Sequence, residues 1–373
     1  MSTARAGRLR VLVVNPGSSS VKVDLVDGGD GTPVHRSVPA DAGVPDVDAL
    51  GDALSAATNA GFDAIGVRVV HGGARFTGPV SVDGAVRDRI AALSELAPLH
   101  QRPAVAVLDR LLGADTARPV VACFDTVFHR TIPAAASTYA VPADWRDRLG
   151  VRRYGFHGLA HRWAAGRAAQ LLGQPVGELA LVTAHLGSGS SLCAVDGGVS
   201  VDTTMGFTPT AGLVMGTRSG DLDPAVPAWL VAHAGLSAAE VADALDHASG
   251  LRGLAGTSDA RRVVEAAGRG DPDARLAVAV WVHRFRASVA AMVASLGRLD
   301  ALVFSGGIGE NSAELRSRGV AGLGFLGLDL PDGATPGGNG EGVLTSPGVR
   351  PAVVVVHARE DLVVAADVRA LLG

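Results

Sequence analysis

One pattern occurs twice in this chain. Val11 to Val14 is a β-branched apolar run, Asn15 to Ser20 is a Gly/Ser turn, and Val21 to Val26 returns to a closing Asp27-Gly28. Leu179 to Ala184 is a second apolar run, His185 to Ser191 a second Gly/Ser turn, and Leu192 to Val195 returns to Asp196-Gly197. The two Asp-Gly closures lie 169 residues apart, close to half of the 373-residue length. A strand, a glycine-rich hairpin and a returning strand, repeated at that spacing, predict two similar α/β lobes. Each hairpin can turn bare backbone N–H groups toward an anion.

The segments between the hairpins fit that class. Apolar residues at three- and four-residue spacing predict helices over 47–60, 85–96, 104–112, 159–172, 238–248 and 275–296, and a last one over 361–372. Strands are expected near 64–69, 120–124, 301–304 and 352–356. Alternation of strand and helix argues for α/β. No G-x-x-x-x-G-K-[ST] occurs, and no G-x-G-x-x-G follows a strand, which weighs against P-loop enzymes and Rossmann dehydrogenases. A net charge of −4 gives no basic footprint for nucleic acid. Two cysteines, Cys123 and Cys193, make no disulfide framework and fit a reducing compartment as buried small hydrophobes. The best candidate for a membrane span, Leu276 to Leu296, is broken by His283, Arg284 and Arg286 and reads as a core helix. The expectation is a cytoplasmic protein that binds neither membrane nor nucleic acid.

Of 33 basic residues, one is a lysine, Lys22, and it follows the first Gly/Ser turn. Lysine differs from arginine where a compact point charge is wanted, as at a phosphate. Of four asparagines, Asn15 flanks the same turn and Asn311 ends another. Glycine-rich turns at Gly17 to Ser20, Gly187 to Ser191, Gly212 to Gly220 and Gly306 to Asn311 together suggest a polyphosphate ligand. Arg68, His157 and Arg218 sit among glycines at strand ends and loops, where arginine can fork onto carboxylate or phosphate. Asp125 ends the run Val120 to Phe124, where a carboxylate pairs with arginine, orients a nucleophile or caps a turn. Glu360 follows the last apolar run and could offer an oxygen to Mg²⁺, which takes few protein ligands. No Cys/His zinc spacing is present.

These strings together resemble the acetate kinases of the acetate and sugar kinase/chaperone/actin superfamily. The match rests on NPGSSSVK (Asn15 to Lys22), RVVHGG (Arg68 to Gly73), LAPLH (Leu96 to His100) and FDTVFH (Phe124 to His129). It continues in the same order through YGFHG (Tyr154 to Gly158), MGFTP (Met205 to Pro209), MGTR (Met215 to Arg218) and GGIGEN (Gly306 to Asn311). The resemblance implies an actin-like ATPase fold, two duplicated ribonuclease H-like lobes with an active-site cleft between them. Residues 1–130 plus 362–373 would form an acid-binding lobe, and 131–361 a nucleotide-binding lobe carrying a homodimer interface. The implied reaction is reversible Mg²⁺-dependent phosphoryl transfer from ATP to acetate, giving acetyl phosphate and ADP, with Mn²⁺ as a substitute metal. A short-acid kinase for propionate and a nucleotide-dependent switch without acid substrate are the alternatives.

The implied roles follow residue by residue. Asn15 and Glu360 would hold the metal, and Lys22 would lie near the ATP phosphates. Asp125, His157 and Arg218 would be catalytic, and Arg68 would bind the acid's carboxylate. Val70, Leu99, Phe156 and Pro209 would enclose its methyl group. His185, Leu186, Gly187, Ser188 and Gly189, Asp259, Ala260 and Arg261, and Gly307, Ile308, Gly309, Glu310 and Asn311 would surround the nucleotide. The chain departs from the family pattern at Ser188 (usually asparagine), Ala260 (often phenylalanine), Gln101-Arg102 (Asn-Pro) and Ala358-Arg359 (Thr-Asn). Arg359 could compete for Glu360. Acetate is already an ionised nucleophile, so the chemistry needs alignment and charge neutralisation rather than a strong base.

Overall fold

The computed structural model describes residues 9–17, 20–27, 34–41, 44–45, 51–53, 61–95, 98–113, 118–331 and 334–373. The tip of the first hairpin (18–19) and most of the helix expected over 47–60 lie outside the described residues. The chain divides into two units. Unit 1 holds Met1–Arg130, Phe156–Trp163 and Arg359–Gly373, and unit 2 holds Thr131–Gly155 and Ala164–Ala358.

Unit 1 is built on strands β1 (Val11–Pro16), β2 (Ser20–Val26), β3 (Val34–Asp41), β4 (Val44–Pro45), β5 (Ala64–Val69), β6 (Val80–Ser81) and β7 (Val120–Phe124), in the order β4-β3-β2-β1-β5-β7-β6. β1 is antiparallel to β2 and parallel to β5, which is parallel to β7. Both faces of the sheet are covered, so β1 is apolar without a break from Val11 to Val14. Leu12 and Val14 face a core shared with Val107 and Leu108 of the helix Pro98–Gly113. Val11 and Val13 face Val363, Val364 and Val368 of the last helix, Glu360–Leu372. That helix lies so close that a Cβ on Gly66 of β5 would stand 2.5 Å from Val364 Cγ1. Glycine is required there, and the close seat fixes Glu360 at the helix N-terminus.

Unit 2 repeats the plan with β8 (Ala180–Leu186), β9 (Ser190–Asp196), β10 (Val199–Thr203), β11 (Ala301–Ser305), β12 (Gly342–Val343) and β13 (Ala352–Val355), in the order β10-β9-β8-β11-β13-β12. β8 is antiparallel to β9 and parallel to β11, which is parallel to β13. The run β3-β2-β1-β5-β7-β6 and the six strands of the second sheet therefore share one order and one set of senses, an α/β arrangement of the duplicated type. The helix Pro272–Leu296 is long and apolar enough to cross a membrane by length and composition. Its Trp281, Phe285, Val289 and Met292 are buried against the unit 2 sheet, with Trp281, Phe285 and Phe304 stacked in sequence. Both cysteines are buried and reduced, and burial pushes the Cys193 thiol up to about 12.

Candidate active site

In unit 1 the charged groups collect at the ends of the parallel strands, where loops leave the sheet. Arg68 is on β5, Asp125 follows β7 and opens a 3-10 turn to Thr131, and Asn15 is on β1. Arg68 forks onto Asp125, Nε to Oδ1 at 3.0 Å and Nη2 to Oδ2 at 2.6 Å, and Nη1 donates to Asn15 Oδ1 at 3.0 Å. The Asp125 side chain is 1% exposed and that of Arg68 15%. Burial alone would lower the Arg68 pKa, but the charge and hydrogen bond of Asp125 and the charge of Glu360 more than offset it and raise it above its ordinary value. A guanidinium has five N–H donors. Three are engaged, which leaves one on Nη1 and one on Nη2, a pair able to take a carboxylate.

His157 stands beside this cluster. A Cβ on Gly158 would lie 2.0 Å from the Asp125 carbonyl oxygen, so the start of the helix Gly158–Leu172 presses on the Asp125 backbone. His157 has φ of 57°, and among the described residues it is the one non-glycine with positive φ. Such backbone costs about 1–3 kcal/mol and gathers at functional sites. Its ring lies 6.5 Å from that of His161, itself 5.7 Å from His129. Val70 and Phe156 are buried, and the His71 ring meets Phe156 edge-on at 5.3 Å. Leu99 lies in the first turn of the helix Pro98–Gly113. Lys22 is exposed and pairs with Asn15 across the hairpin, so both belong to one face. Arg359 forks onto Asp361, with contacts of 2.9, 3.1 and 2.7 Å.

In unit 2 the turn Gly187 to Gly189 joins β8 to β9, and Ser188 O accepts from Gly216 N at 3.2 Å. That bond ties the second hairpin to the loop Met215 to Arg218. The Arg218 Nη1 donates to Pro209 O at 2.8 Å. Burial lowers the Arg218 pKa, and the charge of Asp246 only partly opposes this. Its other N–H donors meet no acceptor among the described residues, so the site favours an anion.

A cavity of about 480 Å³ opens beside the same turn. It is lined by Gly187, Ser188, Asp259, Ala260, Arg261, Gly307, Ile308 and Asn311 of the expected nucleotide set, and by Ser258, Val264, Glu265 and Ser312 outside it. Val264 and Glu265 lie one helical turn beyond Ala260 and Arg261 on the helix Ala260–Gly268, capped by Asp259. Extending the helical period from that cap would have found them. Leu186 is buried, Gly309 packs on Phe304, and neither lines the cavity. His185 Nδ1 meets Ser305 Oγ at 3.3 Å. Glu310 points away from the cavity. Its Oε1 accepts from Gly306 N and Ala358 N at 2.8 and 3.0 Å, and Oε2 meets His357 Nδ1 at 2.8 Å.

No cluster of three or more His, Cys, Asp or Glu side chains able to hold a metal occurs among the described residues. Asn15 and Glu360 offer hard oxygen donors, which suit Mg²⁺ completed by water and phosphate. Arg68, Asp125 and Glu360 sum to one negative charge, so a divalent ion would make the cluster attractive to anions.

A model of the acetokinase family matches residues 44–366. The acetate kinase of Deinococcus deserti is 44% identical, over 97% of this chain and 98% of its own length. That of Leifsonia xyli is 43% identical, over 95% and 97%. The crystal structure of a propionate kinase from Francisella tularensis superposes with a TM-score of 0.87 at 34% identity, covering 96% of this chain and 98% of that one. Porphyromonas gingivalis acetate kinase superposes with a TM-score of 0.87 at 32% identity, covering 98% and 100%.

Proposed function

The chain belongs to the acetokinase family, and we infer that it is an acetate kinase, moving a phosphoryl group reversibly between ATP and the carboxylate of acetate. The observation that carries the reading is Arg68, a buried guanidinium anchored by Asp125 and Asn15 with one donor left on each Nη. Those donors take the acid's carboxylate. Asp125 holds Arg68 in line, and Val70, Leu99 and Phe156 bound the methyl group. ATP occupies the unit 2 cavity, and Lys22 is the phosphate-facing cation of unit 1. His157 donates to the transferring phosphoryl group, and Arg218 neutralises its charge. The acid attacks through its ionised oxygen, so no proton need be removed, and in-line transfer depends on positioning.

Mg²⁺, with Mn²⁺ as substitute, fits Asn15 and Glu360. When bound it supplies charge neutralisation at the nucleotide phosphates. We place the enzyme in the cytoplasm as a homodimer. Support for the dimer is the helix Ala225–His233, which buries no residue and exposes Val226, Trp229 and Val231, with Leu222 and Leu236 exposed beside it. Apolar patches of this kind mark association surfaces. Trp229→Glu should shift the protein toward monomer by sedimentation, and an unchanged mass would remove this helix from the interface.

The test of the reaction is acyl phosphate formation with Mg-ATP, trapped as the hydroxamate. Acetate and propionate are run in parallel, because the Francisella neighbour is a propionate kinase. Acetate-dependent product is expected. ATP turnover indifferent to either acid would overturn the reading.

A further inference from the structure

Gln101 belongs to no part of the site described so far, yet its side chain is fully buried. Its Oε1 accepts from the backbone N–H of His71 at 3.2 Å, and its Nε2 donates to the His71 carbonyl at 3.0 Å. Nε2 also donates to Ile90 O at 3.2 Å. One amide thus satisfies both backbone groups of a single residue, as a neighbouring strand would. His71 lies two residues beyond the end of β5. Gly72 N donates to Thr126 Oγ1 at 3.0 Å, one residue beyond Asp125.

Val70 is therefore set between two anchors. On one side Arg68 is fixed by Asp125, and on the other the His71 backbone is fixed by Gln101. Gln101 rides the helix Pro98–Gly113, the same helix that carries Leu99. Its length sets the distance between the loop of Val70 and the helix of Leu99. We propose that Gln101 is a positioning residue that fixes the depth of the acid pocket and hence the chain length of acid the enzyme accepts. The proposal rests on the reading of Val70 as a wall of that pocket. Asparagine, shorter by one methylene, cannot reach His71 N, His71 O and Ile90 O from the same helix. The loop would then loosen or be drawn toward the helix.

The experiment compares the full-length wild type with Gln101→Asn, Gln101→Met and Val70→Ala. Each is assayed with acetate and with propionate, with the KM for ATP and a thermal melt recorded. A methylene in an apolar pocket is worth about 10- to 200-fold in selectivity. Gln101→Asn should move the acetate-to-propionate kcat/KM ratio toward unity by about threefold or more. The KM of the preferred acid should rise and the KM for ATP should stay unchanged. A merely structural role would not move that ratio. Should the asparagine variant melt too low, Gln101→Met, similar in length but without the amide, reads the same ratio. If Val70→Ala shifts the ratio and neither Gln101 variant does, Gln101 is structural and the pocket reading survives. If none shifts it, Val70 is no wall and both ideas fall. Failure of both Gln101 variants to fold would assign the residue to folding and overturn the selectivity role.

Discussion

The two units put different chemistry on one scaffold. By register, Asn15 opposite Lys22 in the first hairpin occupies the place of His185 opposite Ser191 in the second. Carrying the parallel β1–β5 register one residue further sets Arg68 beside Asn15, where unit 2 sets Ser305 beside His185. In unit 1 these positions hold a charged cluster, with Arg68 bonded to Asn15 and Asp125. In unit 2 the same place holds a histidine and a serine 3.3 Å apart. The site cation of unit 2 is Arg218, on a loop, whose side chain has a single carbonyl for a hydrogen-bond partner among the described residues. Unit 1 thus pairs its site cation with a carboxylate, while unit 2 seats its cation on a backbone carbonyl. The pKa directions agree, raised for Arg68 and lowered for Arg218.

The sharpest way to break this contrast is to remove each arginine. Arg218→Ala should lower kcat for acyl phosphate formation about 10³- to 10⁵-fold, the range for an arginine that stabilises a phosphoryl transition state. Its melting temperature should hardly move, because among the described residues only Pro209 O loses a donor. A large drop in melting temperature would show that Arg218 is structural after all. Arg68→Ala should cut kcat/KM for the acid by about 10²-fold or more. It should also destabilise the protein by about 3–5 kcal/mol, since Asp125 is left buried without its partner. Adding Asp125→Ala to that variant should recover part of the stability but none of the activity, read by denaturant melts.

Smaller effects refine the unit 2 side. Ala260 leaves the cavity without an aromatic wall. Ala260→Phe should lower the KM for ATP by about threefold to tenfold, the worth of one added aromatic contact, and leave the KM for the acid alone. The smallest effect is on pH dependence. Both ring nitrogens of His357 face acceptors, Glu310 Oε2 at 2.8 Å and the Asn339 carbonyl at 2.7 Å, with Glu341 also near. The hydrogen bonds its ring makes to the Glu310 carboxylate and the Asn339 carbonyl raise its pKa above the ordinary 6.5. Folding therefore favours the protonated ring. The added stability is present below 6.5 and is lost as pH rises through the raised value. His357→Gln should melt below the wild type at about pH 6, and the gap should close by about pH 9. A gap that widened with pH would contradict the bridge.

Much of this was legible in the chain. Strands over 64–69 and 120–124 appear where their β-branched runs predict them. The likeness of the two sheets follows from the repeat, because two copies of one hairpin ask for two copies of one sheet, but the strand order itself does not. Apolar periodicity predicts no helix over 260–268, although its N-cap Asp259 is in the expected nucleotide set. Its three charged residues, Arg261, Arg262 and Glu265, break up the apolar stripe made by Val263 and Ala267. Glu310 belonged to the expected nucleotide set by adjacency in GGIGEN, but a one-turn helix sends neighbouring side chains in different directions. Asn311 reaches the cavity rim while Glu310 turns to Ala358 and His357.

Periodicity and turn chemistry are local, so the sequence alone determined the α/β class, the doubled hairpin, the glycine turns and the family. It also marked Lys22, Arg68, Asp125 and Arg218 by residue type and context. Which donors of Arg68 remain for a ligand, and that Gln101 rather than a strand completes the His71 backbone, were decided by the tertiary structure. Those facts depend on atoms brought together across 30 to 57 positions of sequence. Hydrogen-bond geometry of that kind is set by how helices seat on a sheet. No spacing of residues along the chain encodes it.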